Sequence, residues 1–163
     1  MTDSTVRVLF VCLGNICRSP LAEGVFRALV REAGVEDRFF IDSAGTADYH
    51  VGDLPDPRTR EVARRRGIQL TSRARQVQVE DLETFDYVIA MDSQNLRDVR
   101  RLAARAQLRA EIRRLREFDE ANGGDLDVPD PYYGGPAGFE LVHDIVERSC
   151  RRFLDSILAP RMP

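Results

Sequence analysis

Residues 6–19 read VRVLFVCLGNICRS, an apolar run followed by a loop that holds two of the three cysteines of the chain. A continuous apolar run of this length is typical of a strand buried on both faces of a parallel sheet. After the loop, Pro20 suits the first turn of a helix, and Ser19 is the expected cap. The stretch therefore predicts a strand, a tight loop and a helix.

The rest of the chain continues this alternation of strands and helices. Strands are expected at FFIDSAG (39–45), at FDYVIAM (85–91) and, shorter, near EIRRLREF (111–118). Helices are expected over 20–34, 56–68, 92–106 and 137–158. Such alternation predicts an α/β fold in one domain over residues 1–163, with a core at about 6–158. We expect a small parallel sheet of about four strands, helices on both faces, and a phosphate loop after the first strand.

Length and composition limit the class of protein. The chain has 163 residues, of which 43% are hydrophobic and 31% charged, with a net charge of −3, as in ordinary globular proteins. All 24 positive charges are Arg, which suggests a bacterial source, and nothing indicates a nucleic-acid or membrane partner. The first apolar stretch is too short for a secretion signal or a membrane span. Three cysteines form no even framework, so a reduced, cytoplasmic setting is expected.

The loop CLGNICRS has the composition of an anion-binding site with a nucleophile. Backbone N–H groups between a strand and a helix N-terminus converge on the loop centre, and Gly14 and Asn15 permit the turns this requires. Arg18 has a planar fork that matches two phosphate oxygens. Such surroundings favour the thiolate of Cys12, whose expected task is attack on phosphorus. A nucleotide P-loop would need a Lys that this chain lacks, a redox site would need C-x-x-C, and an inert buried Cys would not need Arg18.

Four segments together resemble the low-molecular-weight protein tyrosine phosphatase family. They are CLGNICRSP (12–20), DSAGT (42–46), MDSQNLRD (91–98) and DPYYGG (130–135), in the family's order and spread over nearly the whole chain. The resemblance implies a four-stranded parallel sheet flanked by helices, which agrees with the pattern of elements above. It also implies hydrolysis of phosphotyrosine through a phosphocysteine intermediate, without a metal or other cofactor.

Catalytic roles carry over to three residues. Cys12 matches the nucleophile and Arg18 the phosphate clamp, while Asp130 matches the general acid that protonates the departing tyrosine oxygen and then activates water. Asp125 and Asp127 compete with Asp130 on sequence alone, and only the resemblance ranks Asp130 first.

The remaining loop residues are expected to bind phosphate or support the loop. Ser19 matches a hydroxyl that hydrogen-bonds the thiolate, and Ser43 matches a residue that holds Asn15. This group comprises Leu13, Gly14, Asn15, Ile16, Cys17, Ser19 and Ser43. Cys17 is either a partner that traps oxidised Cys12 as a disulfide, as in similar family members, or a small packing residue. Cys150, on the apolar stripe of the last helix, is expected in the core.

Three tyrosines match aromatic walls of the substrate slot: Tyr49, Tyr132 and Tyr133. His50 is expected at the rim and His143 on the polar flank of the last helix. The two histidines lack ligand partners at suitable spacing, so no metal site is expected. Asp92 is expected as a helix N-cap.

Three other functions compete with phosphotyrosine hydrolysis. Protein-arginine phosphatases of the family carry a Thr at the position of Ile16, so Ile16 favours phosphotyrosine. Arsenate reduction on this scaffold needs further cysteines in the middle of the chain, and none lies between 17 and 150. A phosphate-binding module without catalysis would not keep Cys12, Arg18 and Asp130 together. Expected partners are phosphotyrosine proteins, among them a bacterial tyrosine kinase, and the chain is expected to be a monomer or weak dimer.

Overall fold

A four-stranded parallel sheet forms the centre of the molecule. The computed structural model describes residues 5–132 and 135–160. The strands are β1 (Val6–Cys12), β2 (Phe39–Gly45), β3 (Tyr87–Ala90) and β4 (Glu111–Arg114), in the order β2-β1-β3-β4. All neighbouring pairs are parallel, and Cys12 lies opposite Gly45 in the register. The expected four-stranded parallel sheet is confirmed.

Helices cover both faces of this sheet. They are α1 (Arg18–Glu32), α2 (Pro57–Arg65), α3 (Val79–Thr84), α4 (Ser93–Ala103) and α5 (Pro136–Leu158), with 3₁₀ turns at Glu36–Arg38 and Leu115–Phe118. Successive side chains of a strand point to opposite faces. Val8 and Phe10 of β1 accordingly pack with α1 and α5, whereas Leu9 and Val11 pack with α3 and α4. Within the described ranges, no helix is long and apolar enough to cross a membrane.

Aromatic packing holds α1 and α5 against β1. The ring centroid of Phe26 lies 5.6 Å from that of Phe10 and 5.3 Å from that of Phe153. All three side chains are completely buried, and replacing such a residue by alanine typically costs about 3–5 kcal/mol. Cys150 is also completely buried in this core, as the sequence predicts.

Two expectations about α1 and α5 are wrong. Ser19 does not cap α1, because the helix begins at Arg18 and its N-cap is Cys17, so that Ser19 lies inside the first turn. His143 does not lie on a polar flank, since only 1% of it is exposed. It is covered because α5 packs against α2 as well as against α1, which buries two sides of the helix. The sequence also did not predict α3, which has only six residues.

Candidate active site

A cavity of about 150 Å³ opens at the edge of the sheet where the strands end. In parallel α/β sheets this carboxyl edge is where ligands bind. The cavity is lined by Cys12, Leu13, Gly14, Ile16, Cys17, Arg18, Tyr49, His50, Asp130 and Tyr132. The structure thus brings the loop after β1 together with two distant segments, one at Tyr49 and His50 and the other at Asp130 and Tyr132. Of the sequence-predicted residues, Asn15, Ser19 and Ser43 are buried without lining the cavity, and Tyr133 lies outside the described residues.

The loop after β1 is curled by a left-handed residue. Asn15 has φ = 57°, a conformation that Asn adopts more readily than most side chains. Its side chain is 2% exposed and makes three hydrogen bonds. Nδ2 donates to the hydroxyls of Ser19 (2.8 Å) and Ser43 (3.0 Å), and Oδ1 accepts from the backbone N–H of Arg75 (3.0 Å). These contacts satisfy the amide and fix the turn at the centre of the loop.

The hydroxyl of Ser19 lies directly beside the thiol of Cys12. The Sγ–Oγ distance is 3.0 Å, and both side chains are buried. A thiolate has no proton to give, so in that state Ser19 must be the donor. Because Asn15 Nδ2 donates to the same hydroxyl, the oxygen is held as an acceptor and its proton is directed to Sγ or to the carbonyl of Ala44 (3.4 Å).

A buried carboxylate extends this support network below the loop. Glu23 of α1 is 6% exposed, and its Oε1 accepts a 2.6 Å hydrogen bond from Ser43. Its Oε2 accepts from Arg27 (2.9 Å), which also donates to the carbonyl of Ile41 in β2. The orientation of Asn15 is therefore set by a continuous set of contacts that joins α1 to β2.

Gly45 lets the loop approach the end of β2. A Cβ at this position would lie 2.7 Å from the carbonyl oxygen of Leu13 and 3.2 Å from Cβ of Asn15. Two backbone hydrogen bonds hold the contact, from Thr46 N to Cys12 O (2.9 Å) and from Ala47 N to Leu13 O (3.0 Å). Only glycine leaves room for this approach.

Two hydrogen bonds hold the guanidinium of Arg18, and a third group lies nearby. Nη1 donates to Asp92 Oδ2 (2.7 Å) and to the carbonyl oxygen of Val128 (3.0 Å), and Nη2 lies 3.6 Å from Asp130 Oδ2. Burial alone would lower the pKa of Arg18, but the charges of Cys12, Asp92 and Asp130 outweigh it and raise that pKa. Asp92 also caps α4 by accepting from Asn95 N (2.8 Å), so the expected N-cap is confirmed and the contact with Arg18 is an addition to it.

Among the three candidate acids, only Asp130 lines the cavity. Its Oδ1 accepts from Tyr132 N (3.0 Å), which leaves Oδ2 on the side of Arg18. Asp127 is turned away and accepts from the N–H and hydroxyl of Ser93 (both 2.9 Å). Asp125 is paired outside the cavity, with its Oδ2 3.5 Å from Nη1 of Arg116. The geometry favours Asp130 as the proton donor.

Aromatic rings stand at the mouth of the cavity. Tyr49 is 73% exposed and Tyr132 37%. The Arg58 guanidinium stacks 5.4 Å from the Tyr132 ring and is held by both carboxylate oxygens of Asp56. His50 also lines the cavity, with its ring 6.4 Å from that of Tyr132 and its Nδ1 3.3 Å from Asp53.

Cys17 is a buried thiol with surroundings unlike those of Cys12. Desolvation raises its pKa to about 12, although a hydrogen bond with Thr59 works in the opposite direction. The negative charges of Asp56, Cys12 and Asp130 also oppose its ionisation. Cys17 is therefore a neutral thiol at neutral pH, and none of the three cysteines is in a disulfide.

Sequence reasoning did not find several supporting residues. Glu23, Arg75 and Arg58 sit in helices and loops without a motif of their own, and each acts through a residue that is near only in space. Glu23 is buried whereas Arg58 is exposed, and no pattern in a single sequence reveals which charged residues are paired in this way. Among the described residues, no group of three or more His, Cys, Asp or Glu side chains is arranged to hold a metal.

The chain is similar to known proteins over almost its full length. The model of the family "low molecular weight phosphotyrosine protein phosphatase" matches residues 7–161. A low molecular weight protein-tyrosine-phosphatase from Streptomyces coelicolor is 49% identical over 154 residues, 94% of each chain. The crystal structure of YfkJ from Bacillus subtilis has a TM-score of 0.87 at 43% identity, covering 96% of this chain and 97% of that one.

A Drosophila arginine phosphatase of known structure is also similar. It has a TM-score of 0.89 at 32% identity and covers 94% of this chain and 99% of its own. The fold is thus shared by proteins named for two different phosphoryl substrates. With its phosphate-loop cysteine, its buried arginine and this similarity over almost its full length, the chain belongs to the low molecular weight protein-tyrosine phosphatase family.

Proposed function

We propose that the chain hydrolyses phosphotyrosine in proteins in two steps, with Cys12 as the nucleophile. In the first step, the thiolate of Cys12 attacks phosphorus and an S–P bond forms. The P–O bond to the tyrosine breaks, and Asp130 gives its proton to the departing phenolic oxygen. The fork of Arg18 binds two of the equatorial oxygens, whose charge grows in the transition state.

In the second step, water hydrolyses the phosphocysteine. The carboxylate of Asp130 takes a proton from the water as the water oxygen attacks phosphorus, and the S–P bond breaks. Inorganic phosphate leaves and the Cys12 thiolate is restored. The hydroxyl of Ser19, 3.0 Å from Sγ, donates to this thiolate and makes it a better leaving group.

The observation that carries this proposal is that Cys12, Arg18 and Asp130 line the same cavity. Ser19 contacts the sulfur of Cys12 from outside the cavity lining, and Asp130 lies beside Arg18. A nucleophile, an anion clamp and an acid are the three groups that transfer of a phosphoryl group from a phenol requires. The tyrosine rings at the mouth support an aromatic substrate.

Ile16 supports phosphotyrosine over phosphoarginine. Ile16 lines the cavity and packs in a buried cluster with Val62, Ala74 and Phe139, among others. An apolar wall offers a guanidinium group no hydrogen-bond acceptor, and leaving its donors unpaired is costly. An apolar wall suits a phenol ring.

Turnover of defined substrates tests the proposal. We expect a phosphotyrosine peptide to be hydrolysed in the presence of a chelator, and a phosphoarginine protein to be hydrolysed much more slowly. Cys12→Ser should abolish turnover but leave the binding of inorganic phosphate largely intact, because the backbone N–H groups of the loop and the guanidinium of Arg18 remain. Appreciable activity of that variant would disprove the nucleophile, and predominant phosphoarginine turnover would disprove the substrate.

The natural setting follows from the same chemistry. Phosphotyrosine-containing proteins, including a bacterial tyrosine kinase, are the proposed substrates, and a reduced cytoplasm is the proposed location because the mechanism needs thiols. The proposed state in solution is a monomer or weak dimer.

A further inference from the structure

Residues 119–132, here called the acid loop, carry Asp130 but contain no helix or strand. Gly123 and Gly124, at its tip, have φ values of +60° and +93°, in the left-handed region that favours glycine. A loop of this length moves unless other groups hold it. A general acid, by contrast, must lie within hydrogen-bond reach of the atom that it protonates.

Arg116 lies at the base of the acid loop and contacts both of its limbs. It comes from the 3₁₀ turn after β4 and is 7% exposed. Nε donates to Asp119 Oδ2 (3.1 Å) in the first limb, and Nη1 donates to the carbonyl oxygen of Asp127 (3.0 Å) in the second. One rigid guanidinium therefore joins the start of the loop to the limb that leads to Asp130.

The charge of Arg116 is matched by a buried carboxylate. Asp119 is 1% exposed and accepts two hydrogen bonds from Arg148 (2.7 and 3.1 Å) and one from Ala121 N (2.9 Å). Within the described part of the chain, Arg148 donates hydrogen bonds to this carboxylate and to no group of the second limb. Both arginines therefore neutralise the charge of Asp119, but only Arg116 also binds the carbonyl of Asp127 in the second limb.

Two arginines hold successive carbonyl groups just before the acid. The carbonyl of Asp127 accepts from Arg116, and that of Val128 accepts from Arg18. Val128 N also donates to Met91 O (2.8 Å), at the end of β3. The next residue, Pro129, has a fixed φ, so the direction of the chain into Asp130 follows from these contacts.

We propose that Arg116 is a positioning residue for the general acid, acting by holding the carbonyl of Asp127. The inference rests on the proposed function, in which Asp130 protonates the leaving group. Loss of the contact removes the tie between Asp127 and the first limb, whereas the contacts of Asp127 with Ser93 and of Val128 with Arg18 remain. The weaker hold on the second limb lets Asp130 shift from the leaving oxygen, whereas the loop around Cys12 stays intact.

The test compares three substitutions of arginine by methionine. Arg116→Met removes the hydrogen bond to the carbonyl of Asp127, and Arg148→Met removes only a partner of Asp119. Arg113→Met removes a half-buried residue of β4 that pairs with Glu111 and Glu117. For each, kcat/KM is measured with a phosphotyrosine peptide and with 2,4-dinitrophenyl phosphate, whose leaving group needs no proton. Hydrogen–deuterium exchange of residues 120–130 is measured in parallel.

Arg116→Met should lower kcat/KM for the peptide about 10- to 100-fold. It should lower kcat/KM for the dinitrophenyl ester less than about threefold, because that reaction does not depend on the acid. Exchange in the acid loop should become faster, and inorganic phosphate should inhibit as in the wild type. Arg148→Met and Arg113→Met should keep the wild-type ratio of the two rate constants. Arg116→Lys keeps the charge without the fork and should restore part of the loss; it also serves if the methionine variant does not fold.

Equal losses with both substrates, or unchanged exchange in the acid loop, would overturn the inference and make Arg116 a structural residue only. The inference is overturned as well if Arg148→Met changes the ratio as strongly as Arg116→Met. An inactive wild-type chain would instead refute the proposed function, and the exchange measurement would then still decide whether Arg116 holds the loop.

Discussion

Replacing Gly45 by alanine tests how tightly the phosphate loop is confined. The new Cβ would lie 2.7 Å from the carbonyl oxygen of Leu13, whereas a carbon and a carbonyl oxygen normally approach to about 3.3 Å. The loop or β2 must therefore move by about 0.6 Å. That carbonyl also accepts a hydrogen bond from Ala47 N, so any retreat of Leu13 strains this bond as well.

The expected cost appears in both stability and rate. Crowding a packed site costs about 1–3 kcal/mol of unfolding free energy, and each kcal/mol lowers Tm by about 2–4 °C in a chain of this size. Displacing Cys12 and the loop amides by several tenths of an ångström should reduce kcat/KM about 10- to 100-fold. Binding of inorganic phosphate should weaken too, because the cradle itself is displaced.

The assay measures kcat/KM for a phosphotyrosine peptide, the inhibition constant of inorganic phosphate, and Tm. Gly138→Ala is the matched control. Among the described residues, the added Cβ would meet nothing nearer than Pro131 Cβ at 3.9 Å, and the position lies in α5, where alanine favours the helix. If Gly45→Ala keeps kcat/KM within about twofold and loses no stability, the contact does not confine the loop and the reasoning fails.

Three further outcomes are expected. Asp130→Ala should lower kcat/KM about 10²- to 10⁴-fold for phosphate esters of phenols with a high pKa, and far less for activated aryl phosphates. An equal loss of kcat/KM for both kinds of ester would mean that another group supplies the proton. Because burial raises the pKa of Cys17 from 9.0 to about 12, the unfolded chain loses this proton first, so the unfolding free energy should fall between those pH values. In urea titrations, the unfolding free energy of Cys17→Ala should fall less between these pH values than that of the wild type, and an equal fall would contradict this. Burial and the charge of Arg66 lower the pKa of His143 below 6.5, so the unfolding free energy should decline as the pH drops through that value. The decline measured by urea titration should be less steep for His143→Leu, and an equal decline in both proteins would contradict this.

The order of strands and helices was predictable because each is encoded locally. The strand 39–45 coincides with β2, and Gly34 and Gly67 follow the ends of α1 and α2 with positive φ. The helix α3 was missed because its six residues bury only Asp81 and Leu82, too few for a periodic pattern. It is stabilised instead by the capping box that Gln78 and Asp81 form.

The candidate site was predictable only where a motif carries it. Cys12, Arg18 and Ser19 lie within one short stretch of sequence, residues 12–19, and their spacing points to phosphate chemistry. Glu23 and Arg116 escaped prediction because their partners are 20 and 11 residues away and no local rule connects them. The sequence predicts two roles for Ser19, a helix cap and a hydrogen bond to the Cys12 sulfur, and only the second contact is present in the structure.

Asp92 places two demands on one carboxylate. Oδ1 starts α4 by capping it, and Oδ2 orients Arg18. Asn or Ser at this position could still cap α4, but neither carries a charge to pair with Arg18. Selection for the stability of α4 alone would therefore accept Asn or Ser, whereas selection for turnover should retain Asp92.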